Sequence, residues 1–359
     1  MPSIAFFVVI IYHKLTIISR YVRMAHLFFF RFENSWHLNP DASASQSELG
    51  MNIQAAWEMG FTGKGVSVVH IDNGIDRHHP DLWFNYNPAT STDLSGPVVG
   101  RPCNSSSCSH GTEMAGIVGA LGHNRYCSVG IAHHARIGMV KVFDGLEGRF
   151  TDLKDAAALS YKGNEGVDIY VIGLGPSDTG GNLAKLGNVT RKALEHGLER
   201  GRNGKGVIFL SPAGNGGLSF DACSQDEKQN HVATLTVNAL GQDGNAPSFA
   251  ESCTSIMASA YSAGSTTRQR SIVTTTVNNG CTSAFSGTSS SIAVSGGVMA
   301  LVLQANPSLT WRCVQHLVVR GVRPKDEVDS SVEWSRNGVG RWYSPTIGYV
   351  ALLARPKIA

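Results

Sequence analysis

The sequence carries almost no charge imbalance: 30 lysines and arginines stand against 27 aspartates and glutamates, for a net charge of +3. Nucleic-acid binding, which needs a concentrated cationic face, has no support in such a balance. Long hydrophobic runs are also missing near the amino terminus. IAFFVVIIY is interrupted by His13 and Lys14, well short of the roughly 20 apolar residues of a spanning helix, so no membrane anchor is evident. That run has the length of a signal peptide, yet no basic residue precedes it and no small-residue cleavage site follows it. Met24, ahead of AHLFFF, offers a second start. Internal repeats and low-complexity linkers are absent as well, and nothing after the polar stretch 87–109 marks a second domain.

What is present is a chain of 359 residues, 42% hydrophobic, able to bury one large core. Its 40 glycines suit a fold with many tight strand-to-helix turns. Strand-like runs (VSVVHI, IGMVKVF, VDIYVIG, GVIFLSPA, HVATLTVNA) alternate with helix-like stretches such as TDLKDAAALSYK and NVTRKALEHGLERG. This alternation predicts an α/β fold with a parallel sheet covered by helices.

Three short segments carry reactive side chains in the order Asp, His, Ser: HIDNGID around Asp72, SHGTEMAG around His110 and FSGTSSS around Ser289. Each reactive residue stands at the end of a predicted element, which singles the segments out from ordinary Ser/Gly turns. A serine hydroxyl is a poor nucleophile until a histidine takes its proton and a carboxylate fixes the histidine tautomer, and this chain order is the subtilisin-type one.

With GFTGKGVSVVHIDNGIDRHHPDL, GIAHHARIGMVKVFDG, FLSPAGNGG, SCTSIMASAYSAG and LTWRCVQHLVV added, the chain resembles the subtilase superfamily and, within it, the kexin/furin-like proprotein convertases, from about Trp36 to Ala359. The resemblance implies a subtilisin-like three-layer fold with a mostly parallel central sheet flanked by helices. Residues 1–35 would be a poorly defined leading segment and 36–359 the catalytic domain, with no convertase-type prodomain or P domain in the sequence. It also implies a calcium-dependent serine endopeptidase of the secretory pathway, acting as a monomer on proproteins or peptides with Arg before the cut. Asn215, in SPAGNGG, matches the family's oxyanion asparagine.

Several acids follow from the same resemblance. Asp178 and Asp226 would line the first specificity pocket, where paired carboxylates hold a guanidinium. Asp178, Asp221 and Glu251 match a calcium site, a donor set that suits a hard cation. Asp81 and Asn124, with the carbonyls of Leu121, Tyr126 and Ser128, match a second calcium site that has Phe29 near the place of its amino-terminal Asp. Seven cysteines suggest disulfides whose pairing cannot be counted out. CNSSSC suggests a local Cys103–Cys108 loop, the resemblance implies Cys127–Cys281 and Cys223–Cys253, and Cys313 is left over. Sequons at Asn104 and Asn188 accord with a glycoprotein on the secretory route.

The chain departs from the family at informative positions. Asn73 replaces a second Asp that contacts a basic residue upstream of the cut, so strict dibasic preference should weaken. Asp155 matches an acid of a more distant basic-selecting subsite, but Ala184 replaces another. Gly173 and Leu174 stand where the family has Ser-Trp in the strand that pairs with substrate, followed by Pro176, a further substrate-contacting position. Ala293 replaces a proline and is expected to loosen the start of the serine helix. A catalytically silent peptide-binding relative and a truncated gene product are the competing readings.

Overall fold

Ser67–Asp72 (β1), reading SVVHID, is buried along its whole length, as a strand covered on both faces must be. The remaining strands are β2 (Thr92–Asp93), β3 (Arg136–Lys141), β4 (Ile169–Ile172), β5 (Ile208–Pro212), β6 (Thr234–Leu240), β7 (Ile256–Tyr261), β8 (Ile272–Thr276), β9 (Gly280–Phe285), β10 (Ser335–Arg336), β11 (Trp342–Tyr343) and β12 (Val350–Ala351). The helices are α1 (Ile53–Glu58), α2 (Ser109–Gly119), α3 (Asp152–Leu159), α4 (Asn188–Gly204), α5 (Gly287–Ala305) and α6 (Trp311–Arg320). The structure, a computed structural model, describes residues 35–38, 51, 53–96, 103, 106–143, 151–175, 177–181, 183–264, 270–321 and 333–352. Pro176, Phe29, Asn104 and the expected leading segment up to residue 34 lie outside the described residues.

Eight strands form one sheet in the order β12-β7-β6-β5-β4-β1-β3-β2, with every neighbouring pair parallel. Alternating side chains feed two cores, giving the three layers expected. Val68, Val171 and Leu210 face Met114, Ile117 and Ile292 of α2 and α5. Val69, Ile71, Tyr170 and Phe209 face Ala158 and Leu194 of α3 and α4, with the Tyr170 and Phe209 rings stacked at 5.5 Å. Each fully buried side chain of this size stabilises the fold by roughly 1.5–3 kcal/mol. The chain builds outward from β1 to β3 on one side and then to β4 on the other. Such a reversal opens a crevice at the carboxyl ends of the strands, and β1 delivers Asp72 to it.

Beside the sheet, β8 and β9 pair antiparallel, and Cys127–Cys281 ties this hairpin to the loop after α2. Cys223–Cys253 and Cys103–Cys108 are also formed, and Cys313 is free and exposed. At Ala293, where loosening of the helix start was expected, the helix is continuous. α5 runs unbroken, and Ala293 falls in its second turn, wholly buried against the sheet, where an alanine can donate the helical hydrogen bond that proline lacks.

Close approach is the price of this layering at Gly130, where a methyl group would overlap the Ala120 nitrogen and lie 2.6 Å from the Gly119 Cα. Backbone atoms cannot yield as a side chain can. Gly130→Ala is therefore expected to lower stability by about 1–3 kcal/mol. Gly181→Ala, which meets open space, should change it by less than about 0.5 kcal/mol. Denaturant midpoints of the two variants check the difference.

Candidate active site

Asp72 ends β1 with no exposed surface. A carboxylate so placed needs donors, and it has them: the Asn73 N–H reaches Oδ1 at 2.7 Å, and His110 Nδ1 lies 2.9 Å from Oδ1 and 2.8 Å from Oδ2. Two glycines make room. A Cβ on Gly173 would overlap Asp72 Oδ2, and one on Gly111 would overlap the Gly74 carbonyl, so the departure at Gly173 keeps the acid in its seat.

His110 occupies the first turn of α2, with its side chain 30% exposed. The cap residue Cys108 makes no side-chain cap bond. Instead Asn73 Oδ1 accepts the Gly111 N–H at 2.9 Å, and Thr112 Oγ1 accepts the Asp76 N–H at 2.9 Å. These bonds clamp the helix start to the end of β1. Asn73, at a position where the resemblance implies a substrate-contacting residue, is 3% exposed and directs its oxygen at the histidine helix, so its side chain serves as a clamp.

Burial works to lower the His110 pKa, but the charge and hydrogen bond of Asp72 and the charge of Glu113 outweigh it, leaving the imidazole more basic than usual. Glu113, one turn along α2, accepts from Thr276 Oγ1 at 2.8 Å. Burial raises its own pKa.

The serine arrives from the other side. β9 ends at Phe285, whose ring lies edge-on to the His110 imidazole at 5.5 Å between centroids. The chain then turns through Gly287 (φ +80) into α5, where Ser289 is the third residue and partly exposed. Ser286 provides no side-chain cap. Asn215, three residues beyond β5, fills that role: its Oδ1 accepts from Thr288 N at 2.8 Å and Thr288 Oγ1 at 3.0 Å. The amide therefore turns its Nδ2 away from Thr288. The Ser289 N–H belongs to the first helical turn, whose donors have no intrahelical acceptor.

Carboxylates cluster beyond Asn215. Asp178 Oδ1 accepts the Asn215 N–H at 3.0 Å, Asp221 Oδ2 the Gly180 N–H at 3.0 Å, and Glu251 Oε1 the Gly216 N–H at 3.0 Å. Burial and then the charges of Asp221 and Asp178 push the Glu251 carboxyl up to about 7. The three expected acids are thus brought together, although among the described residues no three His, Cys, Asp or Glu side chains close around a metal position.

Asp226 and Asp155 stand elsewhere, in the wall of a cavity of about 230 Å³ that opens past Leu174 and Gly175. Asp178 is not in that wall. Burial raises the Asp226 pKa, the charge of Lys228 opposing it. Ala184 pairs with Asp226 through a short parallel bridge. Asp81 is buried, and Asn124, Cys127 and Ser128 all donate to its carboxylate. Leu121 N–H binds the Asp81 carbonyl at 2.8 Å, and Tyr126 N–H binds Asn124 Oδ1 at 3.2 Å. Of the expected second calcium set, Asp81 and Asn124 are thus in contact, with N–H donors pointing at the carboxylate that was to face a cation.

Three residues at the site have no place in the motif reading: Lys228, Glu113 and Phe285. Glu113 was signalled by its i+3 spacing from His110, and Lys228 only by following Asp226 by two positions.

Residues 63–338 match the Peptidase S8 subtilase family. Over 319 residues the chain is 40% identical to an endoprotease bli of Onchocerca volvulus, covering 89% of this chain and 45% of that protein. Over 321 residues it is 39% identical to proprotein convertase subtilisin/kexin type 4 of Homo sapiens, covering 89% and 41%. The chain thus spans less than half the length of these relatives. Among solved structures, a serine protease of Aeromonas sobria superposes with a TM-score of 0.77 at 21% identity, over 90% of this chain and 65% of that one. A protease of Pseudoalteromonas arctica superposes with a TM-score of 0.68 at 20% identity, over 84% and 94%. A matched region that contains the Asp72–His110 pair, the Asn215 loop and the start of the Ser289 helix leaves one assignment: the chain belongs to the subtilase family.

Proposed function

We propose that the chain is a serine endopeptidase of the proprotein-convertase type that cuts peptide bonds after Arg. The observation that carries this reading is the buried Asp72 bound to His110 Nδ1, facing the turn that presents Ser289. Ser289 Oγ attacks the peptide carbonyl and His110 Nε2 takes its proton, while Asp72 holds Nδ1–H and stabilises the imidazolium. The oxyanion takes hydrogen bonds from Asn215 Nδ2 and the Ser289 N–H, near the positive end of the α5 dipole. His110 then protonates the leaving amine, and water repeats the sequence on the acyl-enzyme. Asp178, which binds the Asn215 loop, and the buried Asp226 support an anionic seat for the guanidinium before the cut. Three disulfides accord with an oxidising, secretory compartment.

Calcium fits the Asp178, Asp221 and Glu251 group. Its donors are three oxygen-bearing carboxyls in one loop cluster, and burial, followed by the charges of Asp221 and Asp178, disfavours the Glu251 anion until a cation is bound. When bound, calcium would neutralise this group beside the Asn215 loop, with no part in the bond-breaking steps. At Asp81, by contrast, internal donors already meet the carboxylate.

Purified protein should cleave peptides with Arg before the cut at least about tenfold faster than peptides with Leu there; equal rates would sink the arginine assignment. Ser289→Ala should abolish turnover with the fold intact, and Asn215→Ala should reduce kcat by about 100- to 1000-fold.

A raised His110 pKa keeps the proton on to higher pH, so the base form appears later. The acidic limb of kcat/KM should therefore have its midpoint above about 6.5, the ordinary histidine value. Glu113→Gln keeps a partner for Thr276 and removes a charge that favours the imidazolium, so it should move that midpoint down. A pH–rate profile of both proteins reads the shift.

For Glu251 the folded pKa of about 7 lies above the ordinary 4.5. Stability from this group is present below about 4.5 and falls as pH rises to about 7. Calcium should offset that loss, raising Tm more at pH 8 than at pH 5.5, and Glu251→Gln should abolish the difference. Thermal melts with calcium and with chelator provide the comparison.

A further inference from the structure

The cavity past Leu174 and Gly175 begins one residue beyond the contact of Gly173 with the catalytic acid. Gly173 packs on Asp72, and the next two residues form the cavity wall. An extended peptide reaching Ser289 along this edge would drop a side chain into it. The cavity holds two acids besides Asp226, and both are already engaged. Asp152 lies at the start of α3 and caps α4: it accepts from Val189 N at 3.0 Å, Thr190 N at 2.7 Å and Thr190 Oγ1 at 2.8 Å. Asp155 Oδ2 lies 3.4 Å from Lys228 Nζ, with both side chains largely buried, 22% and 14% exposed.

Lys228 reaches this place for local reasons. Its own N–H binds Asp226 Oδ1 at 2.8 Å, which fixes the loop and sends its side chain into the cavity towards Asp155. The ammonium thus pairs with Asp155, whose charge an incoming substrate cation at that end of the cavity would otherwise use. Opposite it, Ala184 offers only a methyl group. A guanidinium entering here would have to displace a buried internal cation, and an uncharged side chain would not.

We propose that Lys228 determines specificity at this second subsite: as an internal cation on Asp155, it makes the cavity select an uncharged substrate side chain over Arg or Lys. The proposal rests on the endopeptidase reading for the peptide's path, but its test needs no turnover. Lys228 touches no reacting group, so it acts by filling and neutralising the subsite.

The experiment measures binding to Ser289→Ala protein of peptides with Arg before the cut and either Arg or norleucine placed in turn at the second to sixth positions upstream. In the parent protein no position should favour Arg, and at the one entering the cavity norleucine should bind tighter. Lys228→Met, which keeps volume and removes charge, should reverse that preference to favour Arg by about tenfold at one position only. Lys228→Ala should do so at least as strongly. Adding Asp155→Asn to Lys228→Met should cancel the gain, as a double-mutant cycle requires. Binding of Arg unchanged by both Lys228 substitutions, a gain spread over all positions, or a gain that survives Asp155→Asn would overturn the proposal. Binding that behaves as expected, together with an unmutated protein (Ser289 present) that cuts no peptide, would overturn the endopeptidase reading alone.

Discussion

The buried carboxylate of Asp72 is the constraint on which the site depends. A charge removed from water at the end of a parallel strand is tolerable only with donors in fixed positions, and each donor dictates something larger. Bonding to His110 requires α2 to begin beside the end of β1, which the bare Gly111 permits and the Asn73 and Thr112 bonds enforce. Space for Oδ2 requires that β4 be followed directly by Gly173. The topological reversal at β1 then places this one carboxylate where the crevice opens. Sheet order, helix entry and the glycines are all answers to the same electrostatic demand.

That demand explains what could be read from the sequence. Apolar runs ending in Asp72 and Asn215, and the glycine-flanked starts of the His110 and Ser289 helices, are local signals, so the parallel sheet, the layers and the order of the reactive residues were legible. Partnerships across long sequence distances were not. At Asn73 the sequence shows only the loss of a carboxylate that the family resemblance places there; that its acceptor oxygen is claimed by Gly111, 38 residues away, is not visible. Lys228 and Asp155 are 73 residues apart, and Glu113 and Thr276 are 163 apart. Ala293 was misjudged for another reason: its place within the helix, not its identity, decides whether proline's rigidity matters.

Acids that look alike in the sequence separate once their partners are known. Asp81 is ringed by N–H donors, Asp152 caps a helix and Asp155 holds an ammonium. For these the chain supplies its own compensation. Asp178, Asp221 and Glu251 also accept backbone N–H bonds, but those do not offset the burial of Glu251 and the nearby charges of Asp221 and Asp178, which together raise its pKa to about 7. Residual like charge, more than acid count, marks where an external cation gains most.

The same reasoning bears on the histidine. Asp72 must lie close enough to fix the tautomer, and at that distance its charge necessarily makes the imidazole more basic. Higher basicity strengthens the proton-accepting half of the reaction but removes base form at lower pH, because efficiency is greatest when the pKa lies near the working pH. Glu113 shifts this balance further in the same direction without any part in orientation, since its hydrogen bond goes to Thr276. Orientation and basicity are therefore set by different carboxylates: the first is fixed by the end of β1, whereas the second can be adjusted at the surface of α2 without disturbing the buried pair.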